Sequence, residues 1–467
     1  MDFTSPGPLI SGQAKSAWIA EARELLRLAL PLAATQLAQM IILATDTLML
    51  GHFSKRALAA AALGNTIFFF CWLLGSGPGQ AVAPMIAHIR GGHADAAKPR
   101  DRRQVRLVTR MGFWSVLLLT PPLIGLLLCT RHLLLAFGQD PDLATNAAIY
   151  ATTLGFGLPF ALGFQVLRSY ATALNRPVPP MLVMGAAILI NALGDYALIF
   201  GHFGLPRLGL IGAGMASAFS NLASFVLLTV LVEVLPGLRD YRIWRRLGQA
   251  DRHVLTELFR LGLPISVTMA FEVMLFNGAT VAMGTFGIAP LAAHQVALTI
   301  PSLTFMIPLG IGLGATVRVG LAAGAGDRVE ARRAGFTAMG IAVLFMTATS
   351  MLLLLFPRAI ASLWLPDVPA NADVLALAVS FLHIAAAFQL ADGIQVTASL
   401  SLRGLKDARA PMWIAGASYW LVGAPVGLAL GFGLGWQGLG IWLGLAMGLA
   451  AAAILLTTRF IFLSRVK

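Results

Sequence analysis

Long apolar stretches, broken by glycine, proline or clusters of charge, make up most of the chain. About 20 apolar residues cross a bilayer as an α-helix, so stretches of this length predict membrane spans. The breaks predict twelve spans, at residues 28–51, 57–89, 108–130, 143–167, 177–200, 208–235, 260–286, 290–317, 334–356, 373–402, 411–432 and 438–460. The predicted fold class is therefore an all-α membrane protein with twelve transmembrane helices.

Two of the breaks between predicted spans carry no charge, because residues 273–317 and 410–458 contain no Asp, Glu, Lys or Arg. Glycines and a proline interrupt the first stretch at 284–290, and four glycines interrupt the second at 431–438. A single helix of about 45 residues would be roughly 67 Å long, twice the thickness of the hydrocarbon core. We therefore predict a two-helix hairpin in each stretch.

The composition changes what the positive charge means. Of 467 residues, 58% are hydrophobic and 11% are charged, against about 25% charged in soluble domains. This excludes a disordered chain and a soluble multi-domain enzyme. The formal net charge of +13 would suggest nucleic acid in a soluble protein. Here the basic residues are expected to anchor spans at the membrane, so the predicted partner is the lipid bilayer and no nucleic acid is expected.

The distribution of basic residues predicts the orientation of the chain. With both termini in the cytoplasm, cytoplasmic segments hold 28 of the 33 Lys and Arg residues. The N-terminal segment lacks the short apolar core and cleavage site of a secretory signal peptide, so the first span is expected to be retained as an anchor. No G-x-x-x-x-G-K-[ST] motif occurs, so ATP is not expected as a ligand.

An internal repeat appears when the chain is compared with itself at the offset that aligns Arg27 with Arg260, which we call the repeat offset. The segments 27–31 (RLALP) and 260–264 (RLGLP) then coincide. An even number of spans in each repeat predicts two parallel six-helix bundles with a cleft between them, an architecture typical of alternating-access transport. The predicted parts are a cytoplasmic N-terminal segment (1–26), an N-terminal lobe (27–235), a cytoplasmic linker (236–258) and a C-terminal lobe (259–467).

The repeat also aligns two groups of glycines. Gly75-x-Gly77-x-Gly79 and Gly310-x-Gly312-x-Gly314 fall in the middle of spans, where Gly77 and Gly79 align with Gly310 and Gly312. Neither group has the form of a phosphate-binding loop. We expect close helix packing or a bend at both places.

Four carboxylates are predicted to lie inside the membrane: Asp46, Asp195, Glu272 and Asp392. On an insertion scale each costs about 2.5–3.5 kcal/mol at the bilayer centre, so something other than stability is expected to retain them. The functional interpretation is a substrate or ion pathway, and the alternative is a set of carboxylates that only lock helix packing. No Lys or Arg is predicted at a matching depth, which argues against buried ion pairs.

Polar neighbours extend the candidate site. Asn191 lies one helical turn from Asp195, and the repeat places Gln39 opposite Glu272. The other supporting residues are Thr268 before Glu272, Gln389 and Gln395 on the face of Asp392, and Gln295 in span eight. A buried carboxyl can exchange a proton near neutral pH, and it can also bind Na⁺ or an organic cation. Competition between these ligands is a physical basis for antiport. The histidine beside Gln295, His294, is more typical of a packing residue.

Several motifs in these spans resemble the multidrug and toxic compound extrusion (MATE) family, in its bacterial NorM-like branch. They are 46–51 (DTLMLG), 292–297 (AAHQVA), 392–395 (DGIQ) and 401–407 (SLRGLKD). The resemblance implies V-shaped lobes that export cationic, amphipathic drugs or dyes in exchange for H⁺ or Na⁺. It also implies a cation site at Glu272 and Asp392, where Na⁺ is one candidate ligand, and an acidic N-terminal site at Asp46, Asn191 and Asp195.

The resulting prediction is a secondary multidrug antiporter of the bacterial inner membrane, with no cofactor apart from the coupling ion and expected to be a monomer. A lipid-linked precursor flippase of the same superfamily is the alternative. Such a protein is expected to carry a cationic cavity, whereas the charges predicted inside the spans are all acidic. A membrane enzyme is a third possibility, but no catalytic grouping converges at a membrane face, so we predict that the protein is not an enzyme.

Overall fold

The computed structural model describes residues 8–92, 99–245 and 247–465, so the start of the predicted N-terminal segment lies outside the described residues. Within these ranges the chain is helical and contains no β-strand. The α-helices are α1 (Pro8–Phe53), α2 (Lys55–Gly91), α3 (Pro99–Leu128), α4 (Thr130–Ala136), α5 (Pro141–Gly155), α6 (Leu158–Ala173), α7 (Val178–Phe200), α8 (Leu210–Val234), α9 (Arg252–Thr285), α10 (Ile288–Gly324), α11 (Arg328–Leu355), α12 (Pro357–Ala361), α13 (Ala372–Gly404), α14 (Arg409–Ala417), α15 (Ala424–Leu428) and α16 (Gln437–Leu463).

The predicted number of membrane crossings is confirmed. In the described part of the chain, eleven helical segments are long and apolar enough to cross a bilayer, and α5 with α6 supplies a twelfth. That pair is bent by 45° at Phe156 and Gly157, a break that the hydropathy pattern did not predict. Both hairpins are confirmed. Gly287, with φ of 116°, separates α9 from α10, and Gly435, with φ of 71°, precedes α16. Glycine adopts such positive φ angles without steric cost.

One predicted span is less regular than expected. Residues 409–433 form α14 and α15, followed in each case by a π-helical stretch, Ser418–Gly423 and Ala429–Gly433. This segment packs against α16 through glycines on both sides: Gly423, Gly427, Gly431, Gly440, Gly444 and Gly448. A Cβ added at Gly444 would lie 2.5 Å from the Gly427 backbone nitrogen. The missing side chains therefore let the two backbones touch.

The internal repeat is present in the helix boundaries. Helix α2, at 55–91, and helix α10, at 288–324, coincide at both ends when the chain is shifted by the repeat offset. The pair α5–α6, at 141–173, and helix α13, at 372–404, coincide at a slightly smaller offset, although only the first is broken. The repeat predicted from sequence is thus a repeat of whole helices, and the smaller offset reflects the shorter connection in the second half.

The chain forms two compact units. One contains the described residues up to Ala33 together with the chain from Phe271 onward, and the other contains Ala34–Ala270. Helices α1 and α9 are each divided between the units, near the internal prolines Pro31 and Pro264. The units therefore differ from the predicted lobes in the first helix of each repeat, whose N-terminal part belongs to the unit built mainly from the other repeat. The lobe boundaries themselves stay predictions.

The predicted close packing at the repeated glycines is confirmed. In one unit Gly310 of α10 faces Ala33 of α1, and a Cβ added at Gly310 would lie 2.6 Å from both the Cβ and the backbone nitrogen of Ala33. In the other unit Gly77 of α2 faces Ser266 of α9, and its backbone N–H donates to Ser266 Oγ at 3.1 Å. Since the repeat offset also aligns Ala33 with Ser266, the same helix contact occurs once in each unit.

Candidate functional site

Three helices bring polar side chains together in the unit 34–270. Asp46 lies on α1, Asn191 and Asp195 lie one turn apart on α7, and Ser217 lies on α8. Ser217 Oγ donates to Asp46 Oδ2 at 2.8 Å and accepts from Asn191 Nδ2 at 3.3 Å. The Asp195 carboxyl lies within hydrogen-bonding reach of Asp46. All four side chains are buried, and Asp46, with 8% of its surface exposed, is the most accessible. We call this group the Asp46 cluster.

The Asp46 cluster holds more acceptor atoms than donors. Asp46 Oδ1, Asn191 Oδ1 and both carboxylate oxygens of Asp195 receive no hydrogen bond from the described residues. Two ionised carboxylates at this distance repel each other, and a buried acceptor without a donor loses the free energy of its solvation. A proton held between the carboxyls, or a small cation bound by these oxygens, would remove both costs. Tyr150 of α5 lies near both carboxyls.

Ser217 is the member of the cluster that sequence reasoning missed. A signal was present, because Ser217, Ser220 and Ser224 follow one face of α8 at spacings of three and four residues. Ser220 and Ser224 donate to backbone carbonyls, of Ala187 and Ser220 respectively. Only the tertiary structure distinguishes Ser217, whose hydroxyl donates to a carboxylate instead.

The other unit contains a second grouping, which we call the Glu272 cluster. Glu272 of α9 interacts electrostatically with Asp392 and Arg403, both on α13. Tyr419 interacts with both carboxylates, and its hydroxyl lies beside Gln395. Glu272 is half-buried, and the other four side chains are buried. The grouping therefore combines two acids, one guanidinium and a phenol in a largely dry environment.

The face of α13 around Asp392 is lined with polar atoms that the protein itself does not satisfy. Gln389 accepts a hydrogen bond from Thr349 Oγ1 at 2.6 Å. Gln389 Nε2, Asp392 Oδ1, Gln395 Oε1 and Ser399 Oγ have no hydrogen-bond partner in the described parts of the chain. Buried polar groups in proteins are nearly always paired, so a run of unpaired atoms on one helix face is typical of a place where a ligand, ion or water binds.

Three of the predicted supporting residues differ in burial and in hydrogen bonding. Thr268 donates to the Pro264 carbonyl of its own helix at 2.8 Å, Gln39 is half-buried on α1, and Gln295 is exposed on α10. Within the described residues none of the three hydrogen-bonds to Asp46, Asp195, Glu272 or Asp392. His294, next to Gln295, is buried. Its Nε2 lies 3.1 Å from Thr280 Oγ1 and its ring packs against Trp442, whereas its Nδ1 has no hydrogen-bond partner among the described residues.

Two arginines that directly follow predicted spans are buried in helices. Arg168 of α6 and Arg403 of α13 are buried, with 6% and 8% of their surfaces exposed. Arg168 donates to Gln36 Oε1 and, at 2.7 Å, to Gln165 Oε1. The predicted spans ended at 167 and 402, immediately before each arginine, whereas the helices continue beyond them. Amide and carboxylate oxygens can satisfy a buried guanidinium through its planar fork of donors.

A comparison with known protein families detects the same repeat. The MatE family model matches residues 31–197 and, a second time, residues 264–429. The two matches begin at positions that the repeat offset aligns with each other. The chain belongs to the MATE family.

Relatives of the whole chain agree with this assignment. Over 451 residues, the chain is 41% identical to the Mesorhizobium japonicum protein "Probable multidrug resistance protein NorM", covering 96% of this chain and 95% of that protein. The crystal structure of a eukaryotic MATE transporter superposes with a TM-score of 0.82 at 22% identity, covering 95% of this chain and 96% of the other. A MOP superfamily transporter from Pyrococcus furiosus superposes with a TM-score of 0.79 at 19% identity, covering 96% and 97%.

The resemblance seen in the sequence motifs is thus confirmed at the level of the family. At these identities the solved structures establish the fold, which is the all-α transporter fold of the MATE family. The protein is a transporter and not an enzyme.

Proposed function

We propose that this MATE transporter exports multiple drugs across the inner membrane of a bacterial cell. The substrates are cationic, amphipathic compounds, and each is exchanged for H⁺ or Na⁺ by alternating access. Both termini lie in the cytoplasm, and the working unit is a monomer. The similarity to a multidrug resistance protein named NorM supports the export of multiple drugs. The positive-inside distribution of Lys and Arg supports the orientation.

The observation that carries this proposal is the Asp46 cluster. Two carboxyls within reach of each other, one hydroxyl donor and four unpaired acceptor atoms are buried in helices long enough to cross a membrane. Such an arrangement is expensive unless a positive charge occupies it during part of the cycle. A proton or Na⁺ can do this, and so can a cationic substrate.

The Glu272 cluster supports a second place for the positive charge. Its acids, Glu272 and Asp392, interact with each other, and the guanidinium of Arg403 interacts with Glu272. The amide groups of Gln389 and Gln395 lie on the same helix as Asp392. In our proposal the substrate cation and the coupling ion use overlapping carboxylates. Each then weakens the binding of the other, and linkage requires the two effects to be equal in free energy.

The test is dye efflux from inverted membrane vesicles, driven in separate experiments by an imposed pH gradient and an imposed Na⁺ gradient. We expect Asp46→Asn to flatten the dependence of efflux on pH, and Glu272→Gln to abolish efflux driven by the ion that this cluster binds. Drug binding to the purified protein should release protons, up to one per coupled site, if H⁺ is the coupling ion. Up to a tenfold loss of drug affinity is expected per tenfold rise in proton activity when one proton is displaced.

Asp142→Asn is the matched control. Asp142 is an exposed carboxylate on α5 that pairs with Arg56 at 2.8 Å, so its neutralisation removes a charge without touching either cluster. The control should transport as well as the wild type. If Asp46→Asn and Glu272→Gln both transport like Asp142→Asn under both gradients, the proposed coupling is refuted. Tighter drug binding on addition of H⁺ or Na⁺ would indicate symport and would also refute it.

One observation favours the alternative, a lipid-linked precursor flippase. Arg168 is a buried cation whose acceptors, Gln36 and Gln165, are neutral amides. A buried guanidinium is also a suitable partner for a phosphate group. The same vesicle assay separates the two functions, since a flippase would leave dye efflux at the level of vesicles without the protein under either gradient.

A further inference from the structure

A cavity of about 500 Å³ lies at the beginning of α3, and none of its lining residues belongs to the Asp46 cluster or the Glu272 cluster. One of its walls is a face of α3 that carries Arg103, Arg106 and Arg110, spaced three and four residues apart. The opposite wall is the segment that leads into α9, which contributes Arg245 and Asp251. Both walls belong to the unit 34–270.

The cavity is preformed, because hydrogen bonds hold the segment before α9 along the face of α3. Arg106 Nε donates to the Tyr241 carbonyl at 2.8 Å, and Trp114 Nε1 donates to the Leu247 carbonyl at 3.0 Å. Arg110 reaches the Arg245 carbonyl at 3.5 Å. Contacts therefore recur along about two turns of the helix. The part of the predicted linker that contains Tyr241 and Leu247 is therefore hydrogen-bonded to α3.

The charge of the cavity wall is strongly positive. Four guanidinium groups, those of Arg103, Arg106, Arg110 and Arg245, border the cavity against one carboxylate, that of Asp251. That carboxylate caps α9, since its Oδ1 accepts from the backbone N–H groups of His253 and Val254 at 3.0 and 3.2 Å. A cap of this kind stabilises the first turn of a helix. The Asp251 carboxylate therefore already serves as a hydrogen-bond acceptor for the backbone of α9. The wall has a net formal charge of +3.

The position of the cavity along α3 indicates the depth of its ligand. After Arg110 the helix contains no further charged residue up to its end at Leu128. Two tryptophans lie at this transition, Trp114 on α3 and Trp244 beside Arg245, and the Trp244 ring packs against Phe113 with a centroid distance of 5.0 Å. Tryptophan is enriched where the hydrocarbon core meets the headgroup layer. The arginines of the cavity are therefore at headgroup depth.

We propose that this cavity binds the phosphate headgroup of an anionic phospholipid. Arginine forks match phosphate oxygens in geometry as well as in charge, and basic pockets at the end of membrane helices bind anionic headgroups. Soluble phosphates share the chemistry of the headgroup. The lipid is favoured because the charge-free part of α3 begins at the rim of the cavity, where acyl chains would continue along the helix. The bound headgroup would bridge α3 and the segment before α9.

The experiment is a lipid titration of the purified full-length protein in detergent, with bound lipid counted by native mass spectrometry. The probes are phosphatidylglycerol and phosphatidylcholine with identical acyl chains, and inorganic phosphate is the soluble competitor. We expect phosphatidylglycerol to bind more tightly than phosphatidylcholine, more weakly at high salt, and without displacement by inorganic phosphate. Equal affinity for the two lipids would overturn the proposal. Binding of inorganic phosphate without binding of phosphatidylglycerol would overturn the assignment to lipid.

The decisive variant is the double substitution Arg103→Gln with Arg245→Gln. Both side chains are exposed, and neither side chain donates the hydrogen bonds that fasten the segment to α3. Each basic residue near an anionic headgroup contributes roughly fivefold in affinity, so phosphatidylglycerol affinity should fall about thirtyfold. The matched control is Arg100→Gln with Arg239→Gln, which removes the same charge from exposed positions outside the cavity wall. If the control loses as much phosphatidylglycerol affinity, the loss reflects the overall charge of the protein and the proposal is overturned.

A third variant tests the cavity while all of its arginines are retained, so that misfolding caused by their loss is not an explanation. Gln249→Glu places a negative charge on the exposed part of the wall and removes no existing contact of the arginines. It should weaken phosphatidylglycerol binding while leaving phosphatidylcholine binding unchanged. Unchanged phosphatidylglycerol affinity in both the double variant and Gln249→Glu would show that the cavity is not the site.

Discussion

Gly310→Ala tests the helix contact that occurs once in each unit. The added Cβ would lie 2.6 Å from the Cβ and the backbone nitrogen of Ala33, and 2.7 Å from its Cα. Carbon atoms in proteins rarely approach within about 3.4 Å, so α1 or α10 must move by roughly 0.7 Å or more. Since two of the three atoms belong to the backbone, a change of side-chain rotamer cannot relieve the clash.

The expected magnitude follows from a comparison with Gly340→Ala. Gly340 lies within α11 of the same unit, and a Cβ added there meets nothing within 4 Å. Both substitutions gain the same helix propensity, about 0.5–1 kcal/mol, so this contribution cancels in the difference. What remains is the cost of overpacking, about 1–3 kcal/mol. Gly310→Ala should therefore be less stable than Gly340→Ala by this amount.

The assay is equilibrium unfolding of the purified protein in mixed micelles of dodecyl maltoside and SDS, followed by circular dichroism. The double variant Gly310→Ala with Ala33→Gly removes one of the three close contacts and should recover part of the loss. Gly310→Ala and Gly340→Ala would refute the described contact if their free energies of unfolding agreed within about 0.5 kcal/mol. The reasoning from the repeated glycines would then fail.

Two further predictions concern buried hydrogen bonds. Ser217→Ala removes the donor to Asp46 and should change the pH dependence of dye efflux, whereas Ser220→Ala, which loses only a bond of 3.3 Å to a backbone carbonyl, should not; identical pH profiles would exclude a role for the Ser217 hydroxyl. Arg168→Ala removes the donor to the buried amide of Gln165 and the half-buried amide of Gln36, and should lower the free energy of unfolding by about 1–3 kcal/mol. The exposed Arg131→Ala should stay within about 0.5 kcal/mol of the wild type, and equal stability of the two arginine variants would contradict the structure.

The sequence alone determined the helices and their repetition. Whether a segment enters a bilayer depends on its own side chains, because lipid cannot solvate charge and an uncovered backbone must form a helix. Local composition was therefore enough to predict twelve spans and both hairpins. The repeat offset needed no structure either, since duplicated glycines and prolines retain the positions where backbones touch or bend.

Other features depended on contacts between distant parts of the chain. Asp46 and Ser217 are 171 residues apart, and no local pattern distinguishes Ser217 from the other serines of α8. Arg168 and Arg403 directly follow predicted spans yet are buried within helices, because a guanidinium that pairs with oxygens of other side chains can be buried where hydropathy predicts a loop. The cavity beside α3 likewise depends on hydrogen bonds between α3 and the segment before α9, which is distant in sequence. Tertiary structure decides which polar groups meet, because the free energy of a buried polar group is set by its partners and not by its own sequence.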